Sequence, residues 1–180
     1  MFTLTPLYED ILVSKDFLTA EEQALFTASL ENISKTFVKG QESLEEGYWI
    51  GKSTPIDIDP VVLANINARL QSQFPQYSFF GFEDYNRMDK NDEPMPVHWD
   101  NNNGIETETI VLGFNLYLSD FHGGDLYYPE MKFTYHPEKF DLVVHPATKQ
   151  YKHQNTRVIG NKVRWNTCDF AHINEQKVVS

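Results

Sequence analysis

Residues 109–118 read TIVLGFNLYL, and their alternation decides the fold. In an extended strand Ile110, Leu112, Phe114, Leu116 and Leu118 fall on one side, all apolar. Thr109, Val111, Gly113, Asn115 and Tyr117 fall on the other, smaller and more polar. One face suits a packed core and the other the lining of a cavity. Similar short runs surround this one: YSFFGFEDYNRM (77–88), DLYYPE (125–130), KFTYHP (132–137), FDLVVHP (140–146), TRVIGN (156–161) and KVRWNTCDF (162–170). Turn residues punctuate them at Asn101–Gly104, Gly123-Gly124, Pro137, Pro146 and Gly160-Asn161. Strands at this spacing predict an antiparallel sandwich or jelly roll.

Upstream, residues 7–18 predict a short strand, with Ile11 and Val13 on one face. Two helices follow. Thr19 and Glu22 have capping-box spacing at the start of the first, where Leu25, Phe26, Leu30 and Ile33 form an apolar stripe. Asp59-Pro60 opens the second, with Val62, Ile66, Leu70 and Phe74 at helical spacing. The expected fold is mainly β with N-terminal helices. Helical support over about residues 17–75 precedes a β-barrel over about 76–170, in a single domain spanning 1–180.

The chain's 180 residues suit one domain large enough to bury a core without disulfide staples. Its single cysteine, Cys168, excludes an internal disulfide and a cysteine-built zinc site. With 26 acidic against 15 basic residues the net charge is −11, which argues against nucleic-acid binding as the main task. The start, MFTLTPLYEDILVSKDF, lacks the basic region of a signal peptide, and no apolar run reaches membrane-spanning length. The expectation is a cytoplasmic protein without a membrane partner.

The chemistry concentrates in VHWDNNN (97–103). His98 and Asp100 are two residues apart, so an extended chain points both to one side. An imidazole and a carboxylate are half of a two-histidine, one-carboxylate set that leaves positions open on ferrous iron. H-x-D alone is common by chance, and a surface turn explains it equally well. The missing histidine must come from a later strand, and His122, His136, His145, His153 and His172 all follow. His122 sits in a Gly-Gly turn, His136 at a strand end, and His145 reads as a packed strand residue. His172 reads as exposed beyond the last strand. His153 precedes a new strand, far enough along for the intervening strands to wrap round and return.

From about Phe17 to Phe170 the chain resembles the Fe(II)- and 2-oxoglutarate-dependent oxygenases, in the prolyl 4-hydroxylase-like branch. Five segments carry the resemblance, in family order: KDFLTAEE (15–22), HWDNNN (98–103), LYLSDFHGGDLYYPE (116–130), FDLVVHP (140–146) and HQNTRVIGNK (153–162). The family fold is a double-stranded β-helix with helices packed on one sheet. The resemblance implies His98, Asp100 and His153 as iron ligands and catalytic centre. It implies a dioxygenase that hydroxylates an unactivated C–H bond, consumes 2-oxoglutarate and dioxygen, and releases succinate and carbon dioxide. The target is a prolyl or other peptide or protein residue. The alternatives are a small-molecule hydroxylase of the same family and a jelly-roll protein that binds a metal or ligand without turnover.

For the far carboxylate of 2-oxoglutarate the resemblance implies Lys162 with Tyr117 as hydroxyl partner. Asn115 lies on the same lining face as Tyr117, and Lys162, Arg164, Asn166 and Cys168 share one face of the last strand. Arg164 is placed nearer the mouth, facing substrate. Three positions depart from the family pattern: Met95 where some members have tyrosine, Phe140 for the usual glycine, and Cys168 for a frequent aromatic. The acids Asp89, Asp92 and Glu93 ahead of His98 hint at a basic substrate.

Overall fold

The computed structural model describes residues 2–36, 52–100 and 110–173. Along the chain run β1 (Thr5–Tyr8), β2 (Ile11–Ser14), α1 (Ala20–Thr36), β3 (Lys52–Pro55) and α2 (Pro60–Gln73). Then come β4 (Tyr77–Phe79), β5 (Asp84–Met88), β6 (Ile110–Tyr117), β7 (Leu126–Tyr128) and β8 (Phe133–Tyr135). The last three strands are β9 (Leu142–Pro146), β10 (Gln154–Asn155) and β11 (Arg164–Ile173). All described pairings are antiparallel. The larger sheet has the order β1-β2-β9-β6-β11-β5-β3, with β4 on β11; the smaller has the order β10-β7-β8.

β6 lies between β9 and β11, and its alternation works as the period-2 pattern requires. Phe114, Leu116 and Leu118 join a core with Phe26 and Leu30 of α1 and Ile66 and Leu70 of α2. On the other face Tyr117 joins a second cluster with Leu126 and Tyr128 of β7 and Val143 of β9. The cavity lies on this second side.

The capping box at α1 forms: Glu22 accepts from Thr19 N at 2.8 Å, and Glu22 N donates to Thr19 Oγ1 at 3.3 Å. Arg69 of α2 holds the same carboxylate in a two-pronged pair at 2.8 and 2.7 Å, joining the two helices. Asp59 caps α2 by accepting from Val61 N at 2.8 Å.

Several sequence expectations change. The strand read over 7–18 is a hairpin, β1 and β2, turned through Glu9 at φ 48°. Leu25 is exposed on α1 rather than part of its buried stripe. β3 falls inside the span read as helical support and edges the larger sheet beside β5. TRVIGN makes only an isolated bridge, Val158 with Gly123, before the turn at Gly160. His172 belongs to β11 and packs its ring against Phe80 at 3.8 Å. The turn Asn101–Gly104 and Thr109 lie outside the described residues.

Candidate active site

His98 and His153 face each other across an isolated antiparallel bridge. Each backbone N–H donates to the other's carbonyl, at 3.0 and 2.8 Å. Their rings lie 4.4 Å apart. His98 Nδ1 sits 2.9 Å from the Pro96 carbonyl, and His153 Nδ1 sits 3.1 Å from the Tyr151 carbonyl. A carbonyl only accepts, so each Nδ1 carries the proton and each Nε2 is left as a bare donor pair. Both Nε2 atoms point at one carboxylate oxygen, Asp100 Oδ1, at 3.7 and 3.6 Å.

Three ligand atoms, two imidazole nitrogens and one carboxylate oxygen, thus lie within 4.8 Å of one another. That donor set fits a ferrous or similar divalent ion and leaves coordination positions open. The second oxygen, Asp100 Oδ2, is buried without a hydrogen-bond partner among the described residues. Burial first, then the neighbouring His145, pushes the His153 pKa down to about 3, so its ring is neutral and able to ligate.

The triad opens on a cavity of about 230 Å³ shared with Asn115, Arg164 and Cys168. Arg164 begins β11 and is 2% exposed. Its guanidinium lies 5.1 Å over the Tyr117 ring and 6.0 Å over Phe121. Its guanidinium donates to the weak thioether of Met88 at 3.6 Å, and Nε has no acceptor among the described residues. No carboxylate pairs with it among the described residues. A buried cation without an anion is costly, so an anion entering this cavity would be stabilised beside Arg164. The hydroxyls of Tyr117, beside Arg164, and of Tyr128 are also buried without a close hydrogen-bond partner among the described residues. Burial raises both pKa values, although the Arg164 charge opposes the shift at Tyr117.

Lys162 is not in this cavity. It precedes β11, is exposed, and borders a separate open cleft beside Leu30 of α1 and Trp165. The turn at Gly160-Asn161 delays the strand, so the lining face starts at Arg164 and continues through Asn166 and Cys168. Of the two basic residues, Arg164 lines the cavity that holds the triad, and Lys162 lines the separate cleft. Asn115 stands opposite Cys168 across β6 and β11, and accepts from its thiol at 2.9 Å. Burial pushes that thiol up to about 12, so Cys168 is a neutral wall rather than a nucleophile.

The acids before His98 are locally engaged. Asp89 pairs with Arg87 at 2.7 Å, Asp92 accepts from Asp89 N, and Glu93 pairs with Arg157 at 2.8 Å.

Two features escaped the sequence. His145 is fully buried in β9, and its Nε2 lies 3.6 Å from Asp100 Oδ2. It stands directly opposite Gly113 on β6, a register that no single segment reveals. Asn86 and Asn155 also line the cavity. Asn155 follows His153 by two residues, and the same alternation that groups His98 with Asp100 could have found it. Phe140 explains one departure from the resemblance. Its φ of 73° is the left-handed conformation that favours glycine, and its N–H donates to the Tyr117 carbonyl at 2.7 Å.

No protein-family model and no curated sequence matches the chain. Solved structures do, with prolyl hydroxylases prominent among them. A viral collagen prolyl hydroxylase from Paramecium bursaria Chlorella virus-1, in a 2-oxoglutarate complex, aligns with a TM-score of 0.69 at 12% identity, over 93% of this chain and 97% of that one. A Pseudomonas putida prolyl 4-hydroxylase aligns at 0.66 and 16% identity, over 92% and 93%. A Trichoplax adhaerens prolyl hydroxylase, bound to a peptide fragment of hypoxia-inducible factor, aligns at 0.71 and 15%, over 95% and 87%. These three structural neighbours are prolyl hydroxylases, and this chain shares their fold.

Proposed function

We propose that the chain is an Fe(II)- and 2-oxoglutarate-dependent dioxygenase that hydroxylates an unactivated C–H bond of a prolyl or other peptide residue. The carrying observation is the buried, anion-less Arg164 in the same cavity of about 230 Å³ as the His98–Asp100–His153 cluster. A metal ligand set alone fits many proteins. A metal ligand set beside a buried cation fits a co-substrate that is both a chelator and a distant carboxylate.

His98 Nε2, Asp100 Oδ1 and His153 Nε2 would hold the iron, each imidazole fixed by its Nδ1 contact to a carbonyl. Arg164 would receive the far carboxylate, with the unpartnered Tyr117 hydroxyl as second donor. Asn115, already bonded to Cys168, would border the same ligand. Lys162 has no part in it. When bound with the 2-oxo acid, ferrous iron supplies dioxygen activation, giving succinate, carbon dioxide and one hydroxyl on the substrate. Leu126, Met95 and Phe170, which line the cavity, would limit water beside the iron. The alignments with prolyl hydroxylases, one carrying a peptide, support the peptide target.

We read residues 1–180 as one oxygenase domain. Its two sheets are the walls of a double-stranded β-helix, and the helices lie against the larger. Shared core contacts of α1 and α2 with β6 support this reading.

Anaerobic titration of Fe(II) and 2-oxoglutarate tests the function. A metal-to-ligand charge-transfer band that needs both components is expected, followed in air by succinate formation. Metal binding without any 2-oxoglutarate dependence would replace the enzyme with a metal-binding jelly roll.

A further inference from the structure

Two buried polar atoms without partners face each other beneath the cluster. His145 Nε2 and Asp100 Oδ2 are 3.6 Å apart, and neither has a hydrogen bond among the described residues. The gap exceeds a hydrogen bond by only a few tenths of an ångström. The backbone arranges the encounter. His145 pairs across the sheet with Gly113, and a Cβ at Gly113 would overlap Asp100 Oδ2 and meet His145 at 3.0 Å. The glycine keeps this space clear, so the carboxylate can lie against the imidazole.

The two oxygens of Asp100 therefore have different neighbours. Oδ1 faces His98 and His153, whose Nδ1 atoms are already committed to carbonyls. Oδ2 faces His145, whose Nδ1 is a poor 3.5 Å from the Pro146 carbonyl. A neutral imidazole has one N–H to give, and the buried carboxylate is a stronger acceptor than a distant carbonyl.

We infer that His145 is a positioning residue whose Nε2–H holds Asp100 Oδ2, so that the carboxylate offers the metal a single oxygen. This rests on the proposed metal-binding reading. The consequence is specific. A carboxylate held to one oxygen leaves coordination positions for a chelating co-substrate, whereas a free one can close over the metal with both.

The test compares His145→Gln with His145→Phe in the full chain. Glutamine places an amide donor near the position of Nε2, while phenylalanine keeps ring size and removes the donor. If His145 only packs, phenylalanine is the better replacement; if it donates, glutamine is. Mn(II) affinity, read by electron paramagnetic resonance, is expected to fall by roughly 10–100-fold in His145→Phe, with His145→Gln retaining most of it. Equal affinity in wild type and His145→Phe, or phenylalanine outperforming glutamine, overturns the inference.

Nitrogen-15 NMR of the metal-free wild-type protein gives an answer that does not depend on any variant folding. A proton on His145 Nε2 is expected; a proton on Nδ1 with bare Nε2 overturns the inference. The same spectrum separates the two possible failures. Wild type indifferent to Mn(II) but protonated at Nε2 removes the metal reading and upholds the His145–Asp100 bond.

Discussion

Replacing Arg164 with methionine tests the co-substrate site without relying on turnover. The side chain is buried, lies over the Tyr117 ring, and has no carboxylate partner among the described residues. A carboxylate that binds it becomes half of a buried ion pair, and deleting one half costs about 3–5 kcal/mol. The lower figure already weakens 2-oxoglutarate binding roughly 150-fold. With metal present and 2-oxoglutarate at about a hundred times its dissociation constant, wild type gains about 2.7 kcal/mol of stability. For a domain of this size that raises Tm by roughly 5–10 °C. At the same concentration Arg164→Met gains only about 0.3 kcal/mol, near 1 °C. The ligand-free variant should melt no lower than wild type, because an uncompensated buried cation has been replaced by an apolar chain. Anaerobic thermal scans with and without 2-oxoglutarate read both effects. A full ligand shift surviving in Arg164→Met, with the shift lost in Lys162→Ala, would refute the reasoning and return the anchor to Lys162.

Other expectations follow from the same geometry. Alanine at His98, Asp100 or His153 should each abolish Mn(II) binding while leaving circular dichroism unchanged, since the large core does not depend on the metal. Gly113→Ala should also lose the metal, because its Cβ would displace Asp100 Oδ2; unchanged affinity would show that the carboxylate is free to move. The metal-free protein should lose stability as pH falls from about 6.5 towards 4. His145 and His153 have pKa values near 4 and 3 when folded, so the unfolded chain binds more protons in that window. Asp169, raised to about 6, acts in the opposite sense but as a single group. Chemical denaturation at several pH values measures the balance, and a flat profile would mean that the two rings are not held neutral.

The strand alternation of residues 110–118 was readable because β6 is central, with Phe114, Leu116 and Leu118 in one core and Tyr117 in the other; only Val111, at its start, packs with the opposite core from its face. Helix starts at Thr19 and Asp59 were readable because capping is local chemistry. The depth of a side chain in the cavity was not. Counting forward from His153 selects Lys162, but the turn at Gly160-Asn161 shifts the start of β11 to Arg164, and only pairing with β5 and β6 fixes that register. His145 was equally hidden. Its strand pattern gives burial, whereas its nearness to Asp100 depends on a cross-strand partner thirty-two residues away, Gly113. Phe140 is a different case. The resemblance expects glycine there, and the structure keeps the glycine conformation while the sequence does not keep the glycine.

The bridge between His98 and His153 has a consequence for how a metal arrives. Two reciprocal backbone hydrogen bonds already hold the two histidines as neighbours. The chain entropy of gathering them is spent during folding, so a metal finds a chelate rather than assembling one. The same two amide protons are natural reporters. Slow hydrogen exchange at both, before any metal is added, would mark a clasp that is shut in advance; fast exchange that slows on loading would mark one that the ion itself draws closed.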